Sequence, residues 1–108
     1  MSPSFEETFE AAALRLLASG PAIERGRIFH SVGLSTGGKF FAIPVRGELL
    51  LKLPAARVAE LVASGAAHPF QTGGRTMREW VCARPESEAA CYRYMEEARA
   101  FVAGLMGR

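Results

Sequence analysis

The stretch that decides the fold runs from Gly37 to Val81. It reads GGKFFAIPVRGELLLKLP over residues 37–54, then a helix-like segment, then HPFQTGGRTMREWV over residues 68–81. Lys39–Val45 and Glu48–Leu53 are two strand-like runs separated only by Arg46-Gly47. A two-residue link ending in Gly between apolar runs is a hairpin signal. In the first run Phe41, Ile43 and Val45 share one expected face, with Phe40, Ala42 and Pro44 on the other. Pro44 has no N–H to give a ladder, so its nitrogen should face an edge or a bulge. In the second run Leu49, Leu51 and Leu53 oppose Glu48, Leu50 and Lys52. One buried face and one partly wet face suit an antiparallel sheet.

Working outward, Ser4 and Glu7 have the spacing of a capping box. Phe5, Phe9, Ala12, Ala13, Leu16 and Leu17 then repeat at helical period, and Ser19-Gly20-Pro21 ends that helix. Arg27–Ser35 reads as a weaker strand interrupted by Gly33, and Thr36-Gly37-Gly38 as a turn. Pro54 suits the start of a second helix with Val58, Leu61 and Val62 as its apolar stripe and Gly65 as the residue that closes it. Ala66 to Arg75 reads as loop and Thr76–Arg84 as a strand. Pro85 opens a long helix to about Met106. Its positions Cys91, Tyr94, Ala98, Phe101 and Leu105 step 3-4-3-4, widened by Met95 and Val102. Such a stripe covers a sheet or pairs two helices.

The expected architecture is a two-layer α+β domain, an antiparallel sheet packed by helices in the order α-β-β-β-α-β(β)-α. At 108 residues the chain is one domain, spanning 1–108. Helix one should bury Phe5, Phe9, Leu16 and Leu17 against Phe41, Ile43, Leu49, Leu51 and Val81.

Net charge is only +2, but its layout is uneven. Nine Lys/Arg and three Glu lie between Arg25 and Arg84, while the flanks carry four Arg and eight Glu. The basic middle segment either meets an anionic partner or is neutralised by the acidic ends on one small surface. The two aromatic features, Phe40-Phe41 and Trp80, are read as core and cover, or as bases' stacking partners. Arg46, Lys52, Arg75, Arg78, Phe40 and Trp80 are therefore the candidate contacts for a nucleic acid or another partner.

Enzymatic chemistry has little support. There is no aspartate and there are only two histidines, His30 and His68. Ser-His-Asp catalysis is excluded, with Glu the remaining substitute for Asp. No C-x-x-C, H-x-x-x-H or H-E-x-x-H spacing points to a metal, and the pairs Gly37-Gly38 and Gly73-Gly74 lack phosphate-loop spacing. His68 before Pro69 reads as a solvent-facing or capping residue, and His30 as a packed or rim histidine. Cys82 in a strand and Cys91 on a helix stripe read as small hydrophobes of a reducing compartment. The expectation is no enzyme, no cofactor, no metal and no small-molecule substrate. No apolar run is long enough for a membrane span, and the acidic N-terminus MSPSFEETFE has no signal layout, so a cytoplasmic location is expected.

The blocks Phe29, Gly33-Leu34, Gly38-Lys39-Phe40-Phe41-Ala42, Gly47-Glu48-Leu49-Leu50-Leu51-Lys52, Pro69-Phe70 and Gly74-Arg75-Thr76-Met77-Arg78-Glu79-Trp80-Val81 resemble the N-terminal domain of the TfoX/Sxy family of bacterial competence regulators. Two departures stand out: His30-Ser31 occupies the place of the Gly-Gly that usually follows the first Phe, and a single domain is expected without the second, helical domain of the full-length competence regulators. The resemblance implies the two-layer α+β fold shared with YjbR-like and secretion-chaperone-like domains. It implies no catalytic residues. Because YjbR-like proteins have been proposed to bind DNA, it keeps a nucleic-acid role open. The leading expectation is thus a non-enzymatic cytoplasmic regulatory domain that contacts a protein partner and forms a homodimer. The alternative is a weak nucleic-acid-binding domain using segment 25–84.

Overall fold

The computed structural model describes residues 4–20 and 22–106, so Pro21 of the expected helix stop lies outside the described residues. The elements in chain order are α1 (Phe5–Ala18), β1 (Ile23–Ile28), β2 (Ser31–Thr36), β3 (Lys39–Val45), β4 (Glu48–Lys52), α2 (Ala55–Ala63), β5 (Ala67–Thr72), β6 (Arg75–Ala83) and α3 (Glu88–Met106). Six strands form one antiparallel sheet in the order β1-β2-β3-β4-β6-β5. The α+β class holds, with six strands where the expected order has four or five.

Each extra strand has a local reason. The single strand expected over Arg27–Ser35 is a hairpin, β1 to β2, turning at Phe29 and His30 with φ of 54° and 59°. Both are left-handed conformations that L side chains adopt at a cost. With no glycine at the turn, the residues carry no hairpin signature. The expected loop 66–75 contains β5, which tolerates Pro69 because it is an edge strand with a bulge between Pro69 and Phe70.

The helix ends follow their chemistry. Ser4 and Glu7 make the reciprocal capping box of α1. At the end of α2, Gly65 sits at φ +80° while Gly65 N–H donates to Val62 O and Ala66 N–H to Leu61 O. That is the paired closure a left-handed glycine permits. The third helix starts three residues later than Pro85 suggests, because the Ser87 hydroxyl accepts from Ala90 N–H.

The helices pack on one face of the sheet. Phe9, Ala12, Ala13 and Leu16 of α1, Val58 and Leu61 of α2, and Cys91, Met95, Ala98 and Val102 of α3 enclose Leu34, Phe41, Ala42, Leu49, Leu51, Leu53, Val81 and Ala83. Phe5 and Leu17 pack half-buried at its margin. Ile43 departs from the expected core. It belongs to a second cluster with Leu50 and Cys82, rimmed by Ile28, Phe40, Val45, Phe70 and Trp80. The cause is a bulge: Leu34 pairs with Ala42 but Ser35 with Phe40, leaving Phe41 as the extra residue. Phe41 and Ala42 consequently both face the helices, and the alternation beyond them is inverted. Pro44 is placed as its chemistry requires. Its carbonyl accepts from Ser31 Oγ at 2.6 Å, so its nitrogen also faces β2, past the last β2–β3 pair.

Among the described residues no helix residue belongs to the second cluster, yet Ile43 and Leu50 are buried. The sheet curls to do this. Edge strands of a flat six-stranded sheet would lie roughly 24 Å apart. Here Phe29, at the tip of the β1–β2 hairpin, and Phe70, on β5 at the opposite edge, have ring centroids 6.4 Å apart. The face away from the helices is the inside of a half-closed barrel.

Candidate functional site

The concave face holds a groove of about 720 Å³ lined by Phe29, His30, Arg46, Glu48, His68, Phe70 and Cys82 among others. Its polar floor comes from three neighbouring strands. Arg46 and Gly47, at φ 51° and 78°, make the tight β3–β4 turn that delivers Glu48 to the start of β4. His68 on β5 is directly opposite Cys82 on β6, and β6 in turn pairs with β4 through Leu50 and Cys82.

The resulting contacts are short. His68 Nε2 lies 2.6 Å from Glu48 Oε2, and Arg84 Nε donates to the same oxygen at 3.1 Å. His68 Nδ1 faces the carbonyl oxygen of Pro69 at 3.2 Å. A carbonyl can only accept, so Nδ1 carries the hydrogen in that contact. The Glu48 carboxylate, the His68 ring nitrogen and Cys82 Sγ all lie within 4.8 Å of one another. Burial works to raise the Glu48 pKa, but the hydrogen bonds and charges of His68 and Arg84 outweigh it and hold the carboxyl below its ordinary value. The Cys82 thiol is pushed up to about 11, first by burial and then by the Glu48 charge. A thiol shifted that way is a poor nucleophile at neutral pH.

The sequence-derived contact residues are spread over three recesses. Arg46 lines the groove just described. Lys52, Arg75, Arg78 and Trp80 line another, at the opposite end of β4 and β6. Lys52 and Trp80 also line a third recess with Phe40, where α3 contributes Val102 and Leu105. Lys52 Nζ stands 5.4 Å from the centre of the Trp80 ring and 3.3 Å from Glu79 Oε1. Trp80 and Phe40 are half-buried members of the second cluster.

Several other cations are engaged within the molecule. Arg25 makes a two-pronged contact with Glu10 at 3.0 and 2.8 Å. Arg57 reaches Glu97 at 2.6 Å and Glu60 at 2.8 Å, which raises the guanidinium pKa further. Arg15 meets Glu88 at 3.4 Å and stacks 4.2 Å from the centre of the Tyr92 ring. The acidic flanks thus fold onto part of the basic middle.

Sequence spacing did not point to the Glu48–His68–Cys82 group. Glu48 and Cys82 sit on recognisable strands, but His68 stands in a segment read as loop, and its strand partner follows only once β5 pairs with β6. Cys82 and Cys91 are both free and belong to clusters on opposite faces of the sheet. Among the described residues, no helix is long and apolar enough to cross a membrane.

The family model described as TfoX N-terminal domain matches residues 15–99. That span runs from within α1 into α3 and includes both grooves' strands. No curated protein and no solved structure matches the chain.

Proposed function

The chain belongs to the TfoX N-terminal domain family, and from that premise we propose that it is a non-enzymatic, cytoplasmic regulatory domain of the competence-regulator type that works by contacting another protein. The observation that carries this reading is the internal pairing of four of the nine cations of the basic segment. Arg25 is held by Glu10, Arg57 by Glu60 and Glu97, Lys52 by Glu79 and Arg84 by Glu48. A surface built to neutralise phosphates presents its cations free on one face. Exposed apolar side chains suited to a protein partner are Phe29 and Val32 at the β1–β2 hairpin and Leu105 on α3.

A second reading rests on one specific observation. Lys52, Arg75, Arg78 and Trp80 share a single groove, with cations beside an aromatic ring. Titration of single- and double-stranded DNA at about 50 and 200 mM salt separates the two, since phosphate contacts lose orders of magnitude in affinity over that range. The protein-contact reading expects no micromolar binding at either salt. Micromolar binding that collapses with salt and is lost in Arg75→Ala/Arg78→Ala would establish the nucleic-acid role instead.

A further inference from the structure

We propose that Glu48, His68 and Cys82 form a binding site for one divalent transition-metal ion of the zinc or cobalt type. The three residues come from three adjacent strands, and their ligand atoms already lie within 4.8 Å of one another. In a tetrahedral zinc site, bonds of about 2.0–2.3 Å set ligand atoms roughly 3–4 Å apart, so side-chain rotations of about an ångström complete the geometry. One sulfur, one nitrogen and one oxygen suit a borderline ion such as zinc or cobalt better than calcium or magnesium.

The surroundings are arranged as metal sites commonly are. The Pro69 carbonyl holds His68 Nδ1–H and turns Nε2 towards Glu48. That fixes Nε2 as the coordinating atom, the role a carbonyl plays behind a ligating histidine. Arg84 Nε orients the carboxylate through Oε2. The 2.6 Å contact between Nε2 and Oε2 needs a proton between two basic atoms. A metal cation replaces that proton, and the Cys82 thiol gives up its own to become a thiolate; both protons pass to water. The groove leaves one side open, so a water molecule or a partner's side chain takes the fourth position. Bound metal would tie β5, the edge strand, to β6 and β4 through side chains. This inference does not depend on whether the domain's partner is a protein or a nucleic acid.

The test is a cobalt(II) titration of the reduced protein followed by absorbance, with zinc displacement afterwards. The expected result is one cobalt per chain, a thiolate-to-cobalt charge-transfer band in the near ultraviolet, visible bands of tetrahedral intensity, and their loss on adding zinc. Removing a second-shell partner typically costs 10–100-fold in affinity, so losing a ligand in His68→Ala should weaken binding by about a hundredfold or more. His68 is 57% exposed, so that variant removes no core packing. Cys82→Ser should abolish the charge-transfer band, while Cys91→Ser, on the other face of the sheet, should keep it. The proposal is overturned by absence of the band in the wild-type protein, by its survival in Cys82→Ser, or by unchanged affinity in His68→Ala.

Discussion

The ring of Phe40 lies against the backbone of Gly26, so closely that a Cβ on Gly26 would stand 3.0 Å from Phe40 Cζ. Gly26 is paired across the strands with Gly33, where a Cβ would meet the Ala42 carbonyl oxygen at 3.0 Å and Phe40 Cδ1 at 3.2 Å. One aromatic ring thus fills the space that two glycines leave on the concave face. Gly33→Ala should destabilise the fold by about 1–3 kcal/mol, because backbone must move to accept the methyl. Gly26→Ala meets only the far end of the ring and should cost less. It should become nearly neutral when combined with Phe40→Ala. Urea midpoints of the two single variants and the double variant measure that coupling, and strict additivity would refute it.

Phe9 is 4% exposed within the helix-side core. Phe9→Ala should cost about 3–5 kcal/mol through lost burial and the cavity left behind. An unchanged urea midpoint would show that α1 does not pack as described.

The β1–β2 turn stores strain at His30, a non-glycine residue at φ 59°. His30→Gly should therefore stabilise the protein by roughly 0.5–1 kcal/mol, relief of the left-handed cost less the added chain entropy. The check is a higher urea midpoint at the same m-value. A lower midpoint would mean that the side chain contributes more than the backbone loses.

Cys91 is fully buried, and its thiol is pushed up to about 11, first by burial and then by the Glu88 charge. The folded pKa is above the unfolded one, so the folded state holds a proton that the unfolded chain releases. The associated stability is complete below about pH 9 and is lost as pH rises towards 11. The stability gap between wild type and Cys91→Ala should narrow across that window. A constant gap from neutral pH to pH 11 would contradict the assignment.

Self-association is expected through the surfaces this fold leaves uncovered. β1 ends the sheet with an unpaired edge, and Leu14 and Leu105 are exposed large apolar side chains on α1 and α3. Sedimentation equilibrium should report a dimer. A species of 11.7 kDa alone at high micromolar concentration would refute it.

Much of the architecture could be read locally. The Ser4–Glu7 box, the glycine closing α2 and the Arg46-Gly47 hairpin depend on residues within a few positions of each other, so their signatures stand in order along the chain. The α3 stripe was legible in type and slightly misplaced in centre. Cys91, Met95, Ala98 and Val102 are its buried line, with Tyr94 and Phe101 half-buried at its side. Where the local code was silent, the elements were missed. Phe29-His30 turns without glycine, and β5 contains a proline that only an edge position tolerates.

By itself the sequence determined the α+β class, the three helices, the hairpin β3–β4 and the family, because short-range periodicity and turn chemistry specify each of these. Tertiary structure alone decided which face Ile43 takes, since that depends on the bulge opposite Ser35. It also decided that the basic segment is partly paired with the acidic flanks, and that Glu48, His68 and Cys82 meet. The last two outcomes come from strand pairing and sheet curl between residues far apart in sequence, such as Arg25 and Glu10 or Glu48 and His68. No spacing along the chain encodes such a distance, because the curl is the summed result of every strand's twist and of what its two faces must bury.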